Sequence, residues 1–291
     1  MKISGFFSRK RKFFSFEFFP PKTPGDTRQL YSAIQELIPL KPAFVSVTSS
    51  STGIASYRTV ALSGLIKHKT TLETMAHLTC ISHTKNEITT IASKLAGMGV
   101  ENILALRGDI PAMQSHHLRI RKEYSHASDL VSHLKQLGNF CIGAAGYPEK
   151  HPESVSLGDD ISKLKVKVDS GAEFILTQLF FDNKSYFRFA EKCRERGINV
   201  PIIPGLMPIT GYKQLRRFTS QCGVSIPKKL LNSLEKMKDS PEVIVEFGIE
   251  WALKQCMELL EYGAPGIHFY TLNRSNATRK ILTRLRGSYP A

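Results

Sequence analysis

Short apolar runs of the kind that form buried strands alternate with stretches of helical periodicity along the whole chain. Eight strands are predicted, and they begin near Phe13, Ala43, Thr74, Asn102, Cys141, Phe174, Pro201 and Gly266. Strands that alternate with helices indicate a parallel sheet, and this number favours a closed barrel over an open doubly wound sheet. The lack of a G-x-G-x-x-G fingerprint after the first strand supports that choice. The sequence therefore predicts a (β/α)8 barrel, the TIM-barrel architecture.

Amphipathic helices are predicted between these strands. One helix follows Asp26, a second follows Asn86, and a third begins at Asp160. The gap between the last two strands, residues 207–265, is the longest. It predicts additional helices, one of them with Pro227 in its first turn.

The first predicted strand contains a single carboxylate within an aromatic run. Alternation divides this strand into two faces, one with Phe14, Phe16 and Phe18 and the other with Ser15, Glu17 and Phe19. Apolar surroundings disfavour the charged form of a carboxyl group, so Glu17 is a candidate general acid. A buried structural glutamate held by an arginine or lysine explains the segment equally well.

Composition indicates a large globular chain. The 291 residues are 42% hydrophobic, which is sufficient for one large barrel domain. Five scattered cysteines without a C-x-x-C pair indicate reduced thiols in a cytoplasmic protein, and nine histidines without ligand-like spacing indicate no metal site. We expect a basic N-terminal tail at residues 1–12 and a single catalytic barrel domain at residues 13–291.

The formal net charge of +15 is the unusual bulk property of the chain. A nucleic-acid-binding protein can have such a charge, but here the cations are dispersed and no nucleic-acid-binding motif accompanies them. A dispersed basic surface also suits the attraction of anionic small ligands. No apolar run approaches the roughly 20 residues of a membrane span. We therefore expect small-molecule partners, without nucleic acid and without a membrane.

Polar side chains follow nearly every predicted strand. The carboxyl ends of the strands of a (β/α)8 barrel meet at one face, where its function resides. One polar-lined mouth is therefore predicted, with Glu17, Thr48, His77, Arg107, Asp109, Tyr147, His151, Gln178 and Arg274. Because an amide both donates and accepts hydrogen bonds, Gln178 beside an aromatic cluster suits a flat heterocycle.

Simpler explanations exist for several of these positions. His77 alone fits a core histidine, and Arg107 with Asp109 fits a salt bridge at a turn. No lysine stands at an obvious strand end, which disfavours a Schiff-base aldolase, and no Ser-His or Cys-His pair indicates a hydrolase. The mouth suits planar conjugated ligands, with a cofactor that supplies the difficult chemistry.

Nine segments resemble the methylenetetrahydrofolate reductase family, in order and over nearly the whole chain. They are 15–21 (SFEFFPP), 44–48 (FVSVT), 77–80 (HLTC), 106–109 (LRGD), 147–153 (YPE and HPE), 165–169 (KVKVD), 177–181 (TQLFF), 203–205 (IPG) and 269–274 (FYTLNR). The length resembles that of the bacterial form, which is the catalytic barrel alone.

The resemblance implies a barrel that binds FAD non-covalently and takes electrons from NADH or NADPH. It would convert 5,10-methylenetetrahydrofolate to 5-methyltetrahydrofolate for methionine biosynthesis and one-carbon metabolism. Glu17 would be the general acid that opens the five-membered ring, and Asp109 would lie near the flavin and favour the developing folate cation. Substrate contacts are implied for Glu17, Gln178, Tyr212 and Arg274. FAD contacts are implied for Thr48, His77, Arg107, Gly108, Asp109, Ala127, Tyr147, His151, Asp160 and Lys167. The family also implies a homo-oligomer.

Two other functions remain open from the residues alone. One is a cofactor-free barrel lyase or aldolase that uses Glu17 and Asp109 as acid and base. The other is a basic nucleic-acid-binding module. A flavin spectrum tests the first, and salt-sensitive binding to unrelated DNA or RNA tests the second.

Overall fold

The computed structural model describes residues 1–8, 11–49, 53–109, 123–287 and 289. The strands are β1 (Phe13–Phe18), β2 (Phe44–Val47), β3 (Glu73–Thr79), β4 (Asn102–Leu106), β5 (Cys141–Gly146), β6 (Phe174–Thr177), β7 (Ile202–Ile203), β8 (Gly205–Leu206) and β9 (Gly266–Tyr270). The helices are α1 (Pro24–Leu37), α2 (Gly53–Lys69), α3 (Lys85–Gly97), α4 (Ala127–Leu137), α5 (Leu157–Asp169), α6 (Asn183–Glu195), α7 (Tyr212–Cys222), α8 (Lys228–Lys236), α9 (Pro241–Tyr262) and α10 (Asn276–Leu285). Each of the eight predicted strand starts agrees with the structure to within one residue.

The sheet closes through a strand that is interrupted in its middle. All neighbouring strands are parallel, in the order β7-β6-β5-β4-β3-β2-β1-β9-β8. Ile202 of β7 pairs with β6, whereas Gly205 of β8 pairs with His268 of β9. Between them, the carbonyl of Pro204 accepts a hydrogen bond of 3.0 Å from the backbone N–H of His268. β7 and β8 are thus two halves of the seventh barrel strand, which confirms the predicted (β/α)8 barrel.

The two faces of β1 enter different apolar layers. Phe14, Phe16 and Phe18 belong to the large outer cluster between the sheet and the helices. A separate inner cluster fills the amino-terminal end of the barrel, and it includes Phe13, Phe44, Met75, Leu104 and Phe174. Ser15 and Glu17 are buried on the same inner face, further along the strand. The alternation predicted for the first strand is therefore confirmed.

The amino-terminal end of the barrel is covered by the first residues of the chain. Residues Ile3–Phe6 form a 3-10 helix, and Ile3 is fully buried in the inner cluster. The backbone N–H of Ile3 donates a hydrogen bond of 2.8 Å to Oδ1 of Asn102 on β4. Part of the predicted basic tail thus packs against the barrel, whereas Arg9 and Lys10 lie outside the described residues.

Local sequence explains where helices begin. Thr23 with Asp26, and Thr84 with Glu87, form reciprocal capping boxes at the starts of α1 and α3. The connection between barrel strands seven and eight contains α7, α8 and α9, with Pro227 directly before α8 and not inside its first turn. α7 and α8 rest on a small apolar cluster beside the barrel mouth, separate from the main core. None of the helices in the described part of the chain has the length and apolar composition to cross a membrane.

Candidate active site

A cavity of about 790 Å³ opens at the carboxyl ends of the strands. Its volume is typical of small-molecule sites. Seven of the predicted site residues line it: Glu17, Thr48, His77, Asp109, Tyr147, His151 and Gln178. Apolar side chains complete the wall, among them Leu104, Leu106, Leu176, Met207 and Phe218. The predicted polar mouth is therefore a single space with apolar walls.

Glu17 lies in this cavity with 5% of its surface exposed. Its Oε2 atom lies 3.3 Å from Nε2 of His77 and 3.7 Å from Nε2 of His268, and it accepts a 3.4 Å hydrogen bond from Oγ of Ser46. Burial raises the pKa of Glu17, while the nearby His77 and the Ser46 hydrogen bond act in the opposite direction. No arginine or lysine pairs with Glu17 among the described residues, so the basic partner of the structural explanation is not found there.

The two histidines beside Glu17 are neutral at physiological pH. Burial lowers the pKa of His77, and it lowers the pKa of His268 to about 3. Although Nε2 of His77 is near Glu17, the geometry is not that of a hydrogen bond, and this buried nitrogen has no other partner among the described residues. A buried polar atom that lacks a protein partner and borders a cavity is suited to a ligand.

A polar layer beneath Glu17 was missed by the sequence analysis. Oγ of Ser15 lies 2.7 Å from Nδ1 of His268, and Oγ of Ser46 lies 3.3 Å from Nε2 of the same ring. These contacts fix the ring of His268 and link it through Ser46 to the carboxyl group. Alternation along β9 was the available signal, because it places His268 and Tyr270 on the inner face together.

Side chains that follow β4 and that lie on α5 hold the loop between β5 and α5 in place. Arg107, directly after β4, donates two hydrogen bonds of 2.7 and 2.6 Å to the carboxylate of Glu153. Asp160 accepts hydrogen bonds from the backbone N–H of His151 at 3.1 Å and from Oγ of Ser154 at 3.2 Å. Arg107 and Asp160 therefore support the cavity wall but do not line the cavity themselves.

Three other predicted cofactor residues do not line the cavity. Lys167 is partly buried, and its Nζ donates a 2.7 Å hydrogen bond to the carbonyl of Ala145, which lines the cavity. Burial lowers the pKa of Lys167 to about 8, and the charge of Asp160 opposes that shift. Gly108 adopts a left-handed conformation with φ 88°, and Ala127 is the first residue of α4.

Two predicted substrate residues lie away from the cavity lining. The hydroxyl of Tyr212, at the start of α7, donates a 3.2 Å hydrogen bond to Oε1 of Glu235, and Arg274 is exposed after β9. The aromatic ring that α7 contributes to the cavity is that of Phe218. Phe218 was not among the predicted site residues, and only part of α7 faces the mouth. The substrate contact of Tyr212 stays a prediction from the resemblance.

The ends of the first and last barrel strands are joined by a strained turn. Leu272 and Asn273 have φ values of 53° and 57°, and Leu272 lines the cavity. Oδ1 of Asn273 accepts a 2.8 Å hydrogen bond from the backbone N–H of Phe19, and Nδ2 donates a 2.9 Å bond to the carbonyl of Phe19. A left-handed leucine costs roughly 1–2 kcal/mol. Such strain persists where the surrounding contacts hold a site in shape.

Within the described ranges, no group of three or more His, Cys, Asp or Glu side chains is arranged to hold a metal ion. The fold and the cavity define the general class: a (β/α)8 barrel with a ligand site at the carboxyl ends of its strands and a buried carboxyl group within it. A family model described as methylenetetrahydrofolate reductase matches residues 2–286. The chain belongs to the methylenetetrahydrofolate reductase family.

Individual relatives agree with this assignment. The chain is 40% identical over 267 residues to 5,10-methylenetetrahydrofolate reductase of Escherichia coli (strain K12), covering 92% of this chain and 88% of that protein. It is 36% identical over 295 residues to methylenetetrahydrofolate reductase (NADH) 1 of Arabidopsis thaliana, covering 98% of this chain and 50% of that protein. The chain therefore spans about half the length of the plant relative.

A solved structure supports the fold. It is an uncharacterized protein from Clostridium thermocellum that binds two copies of 5-methyl-5,6,7,8-tetrahydrofolic acid. The TM-score is 0.70 at 15% identity, and the match covers 99% of this chain and 100% of that one. The family resemblance seen in the sequence is confirmed by the family model and by the curated relatives.

Proposed function

We propose that this chain reduces 5,10-methylenetetrahydrofolate to 5-methyltetrahydrofolate, with bound FAD and with NADH or NADPH as the electron donor. The family membership and the names of the bacterial and plant relatives support the reaction. The observation that carries the proposal is Glu17, a nearly buried carboxyl group with a raised pKa in a large cavity. The product would feed one-carbon metabolism and methionine biosynthesis.

The residues around the cavity fit FAD. A flavin is flat, presents hydrogen-bonding atoms along its edges and needs apolar contact with its faces. His77 supplies a buried ring nitrogen without a protein partner, and Leu104 and Leu176 supply apolar wall. We propose that FAD is held by Thr48, His77, Asp109, Tyr147 and His151, with Arg107, Gly108, Ala127, Asp160 and Lys167 beside or behind them. When bound, FAD would take a hydride from the reduced nicotinamide and give it to the folate.

The proton for ring opening would come from Glu17. Its raised pKa keeps a proton on the carboxyl group at higher pH than an exposed glutamate would. Ser46 and His77 lie against Oε2 and would orient the group toward the folate ring nitrogen. Asp109, exposed at the mouth, would favour the positive charge that develops on the folate.

Other side chains would hold the planar substrate. The amide oxygen of Gln178 accepts a 2.8 Å hydrogen bond from the backbone N–H of Leu179, which leaves its NH2 group to donate to a ligand. The resemblance implies an aromatic ring that stacks on the substrate at Tyr212, and this stays a prediction. We propose Phe218 from the same helix as a further aromatic contact, because it lines the cavity. A contact with Arg274 stays a prediction from the resemblance.

A spectroscopic experiment tests this function. The purified protein should carry the visible absorbance of an oxidised flavin, and anaerobic NADH or NADPH should bleach it. Subsequent addition of methylenetetrahydrofolate should restore the absorbance with formation of methyltetrahydrofolate. A protein that neither retains nor takes up FAD, and that shows no folate-dependent nicotinamide oxidation, would refute the proposal.

Two broader expectations accompany the function. We propose that the enzyme is a cytoplasmic homo-oligomer, as the family resemblance implies. Light scattering after size-exclusion chromatography measures the assembly, and fractionation of the source cells locates it. A monomer at assay concentration, or recovery with membranes, would contradict these expectations.

A further inference from the structure

The roof of the cavity is formed by the carboxyl-terminal part of α7. Phe218, Gln221 and Cys222 from this helix all border the cavity. The helix belongs to the small apolar cluster beside the mouth and not to the main core, with Leu215 as its fully buried anchor. A roof with such a limited apolar anchor requires other contacts to keep its position over a ligand.

Two contacts hold the end of α7 against the loop after β5. Oε2 of Glu149 accepts a hydrogen bond of 2.9 Å from the backbone N–H of Ser225, just beyond α7. Gly223 ends the helix with φ 64°, and a Cβ there would lie only 2.9 Å from Cγ of Pro152. The absence of a side chain at Gly223 therefore permits a close approach between the two segments.

The loop that receives these contacts also forms part of the cavity wall. Tyr147 and His151 line the cavity on either side of Glu149 in the sequence. The second carboxylate oxygen of Glu149, Oε1, is buried and has no hydrogen-bond partner among the described residues. A buried carboxylate oxygen without a partner is costly, so its retention at this contact needs a functional reason. The hydrogen bond that Glu149 accepts from Ser225 connects this loop to the roof.

We propose that Glu149 is a positioning residue that latches the α7 roof to the β5 loop and thereby sets the affinity for the ligands that enter and leave beneath Phe218. This inference rests on the proposed function. The latch acts on the exchanging folate and nicotinamide, because these must pass the roof. It does not act on FAD retention, because the FAD contacts proposed for Tyr147 and His151 belong to the β5 loop itself and not to the α7 roof.

Steady-state kinetics of Glu149→Ala and Glu149→Gln test the latch. The alanine variant loses the acceptor, so the KM values for folate and nicotinamide should each rise about fivefold, since less of the protein has a closed roof. The kcat should stay within about twofold and the FAD content should be unchanged. Glu149→Gln keeps an amide oxygen that accepts the Ser225 N–H, so it should restore KM to near the wild-type value.

A second variant and a chemical probe examine the same contact from the other side. Gly223→Ala should raise the same KM values, because the added methyl group meets Pro152. Cys222, the only cysteine among the five that is not fully buried, should be alkylated faster by iodoacetamide in Glu149→Ala than in Glu149→Gln. Methyltetrahydrofolate should slow that alkylation in the wild type.

The outcomes separate the latch from the function on which it rests. A wild-type protein without flavin or folate-dependent turnover refutes the proposed function. An active wild type with unchanged KM values in Glu149→Ala refutes the latch alone. Loss of FAD from that variant also refutes it, because Glu149 would then support the cofactor wall and not the roof.

Discussion

Replacing Glu17 by glutamine tests the central assignment of the site. Glu17→Gln keeps the size of the side chain and its ability to accept the hydrogen bond from Ser46, but it removes the titratable proton. The side chain is nearly buried and has no arginine or lysine partner among the described residues, so the exchange leaves no cation unpaired. The expected cost in folding stability is therefore small, about 1 kcal/mol or less.

The expected catalytic loss follows from the surroundings of the carboxyl group. A positioned general acid contributes roughly 10²–10⁴-fold to a reaction rate, which corresponds to about 3–5 kcal/mol of barrier. The nearest groups that could replace it are His77 and His268, and burial lowers the pKa of both, so neither carries a spare proton near neutral pH. We therefore expect the folate half-reaction to slow by at least about 100-fold.

Stopped-flow measurement of the two half-reactions isolates this effect. Reduction of the flavin by the nicotinamide needs no proton from Glu17 and should stay within about threefold of the wild-type rate. Glu195→Gln is the matched control, because Glu195 is an exposed glutamate at the end of α6, outside the cavity. Its two half-reactions should be those of the wild type.

The pH dependence of stability provides a second measurement on the same variant. The raised pKa of Glu17 means that the folded state binds this proton more tightly than the unfolded state. The stabilising contribution of protonated Glu17 is complete below its ordinary pKa of 4.5, and it is lost as pH rises through the raised pKa of the folded state. Glu17→Gln lacks this loss, so its stability relative to the wild type should increase as pH rises.

Equal slowing of both half-reactions, or a folate half-reaction slowed less than about tenfold, would refute the assignment of Glu17 as the acid.

Three further perturbations have defined outcomes. Lys167→Met should weaken FAD binding about tenfold in a fluorescence titration, whereas the control Lys163→Met should not. The affinity of the wild type for FAD should decline as pH rises through about 8, where Lys167 loses its charge. An unchanged FAD affinity in Lys167→Met would contradict the proposed role of Lys167. Burial lowers the pKa of His268 from 6.5 to about 3, so below pH 6.5 the unfolded state binds this proton more readily than the folded state. The free energy of unfolding therefore falls as pH decreases below 6.5, by at most ~1.4 kcal/mol per pH unit. His268→Gln should flatten that decline in urea unfolding; an unaltered slope would show that His268 is not its source. Gly205→Ala should cost about 1–3 kcal/mol of unfolding free energy, because a Cβ would lie 2.5 Å from the carbonyl oxygen of Thr177, whereas Gly97→Ala, with open space around it, should not.

The barrel was predictable because its information is local. Strand starts from Phe13 to Gly266 are marked by apolar runs, and these agree with the structure to within one residue. Helix starts are marked by capping residues such as Thr84 and Glu87, whose hydrogen bonds span three positions. Closure through a seventh strand broken at Pro204 was not predictable, because it depends on Gly205 pairing with β9 far along the chain.

The candidate site also combines residues whose position the sequence predicts with residues whose position depends on the tertiary structure. Residues directly after strands, such as Thr48 and Gln178, are near the cavity because strand direction alone places them there. The position of Phe218 in the cavity lining could not be predicted from the sequence, because it depends on how α7 rotates on the apolar cluster beside the mouth. The partnership of Glu149 with Ser225 joins segments 76 positions apart, and no local pattern predicts it.

The sequence by itself determined the (β/α)8 barrel, its family and the inward direction of Glu17, because strand alternation and short motifs are properties of neighbouring residues. Tertiary structure alone decided the state of that acid. The raised pKa of Glu17 results from burial, and its neighbours His77 and His268 come from β3 and β9, which meet β1 only when the barrel closes. Desolvation and the distances between charges are properties of the closed barrel, since they depend on residues that the chain order keeps apart.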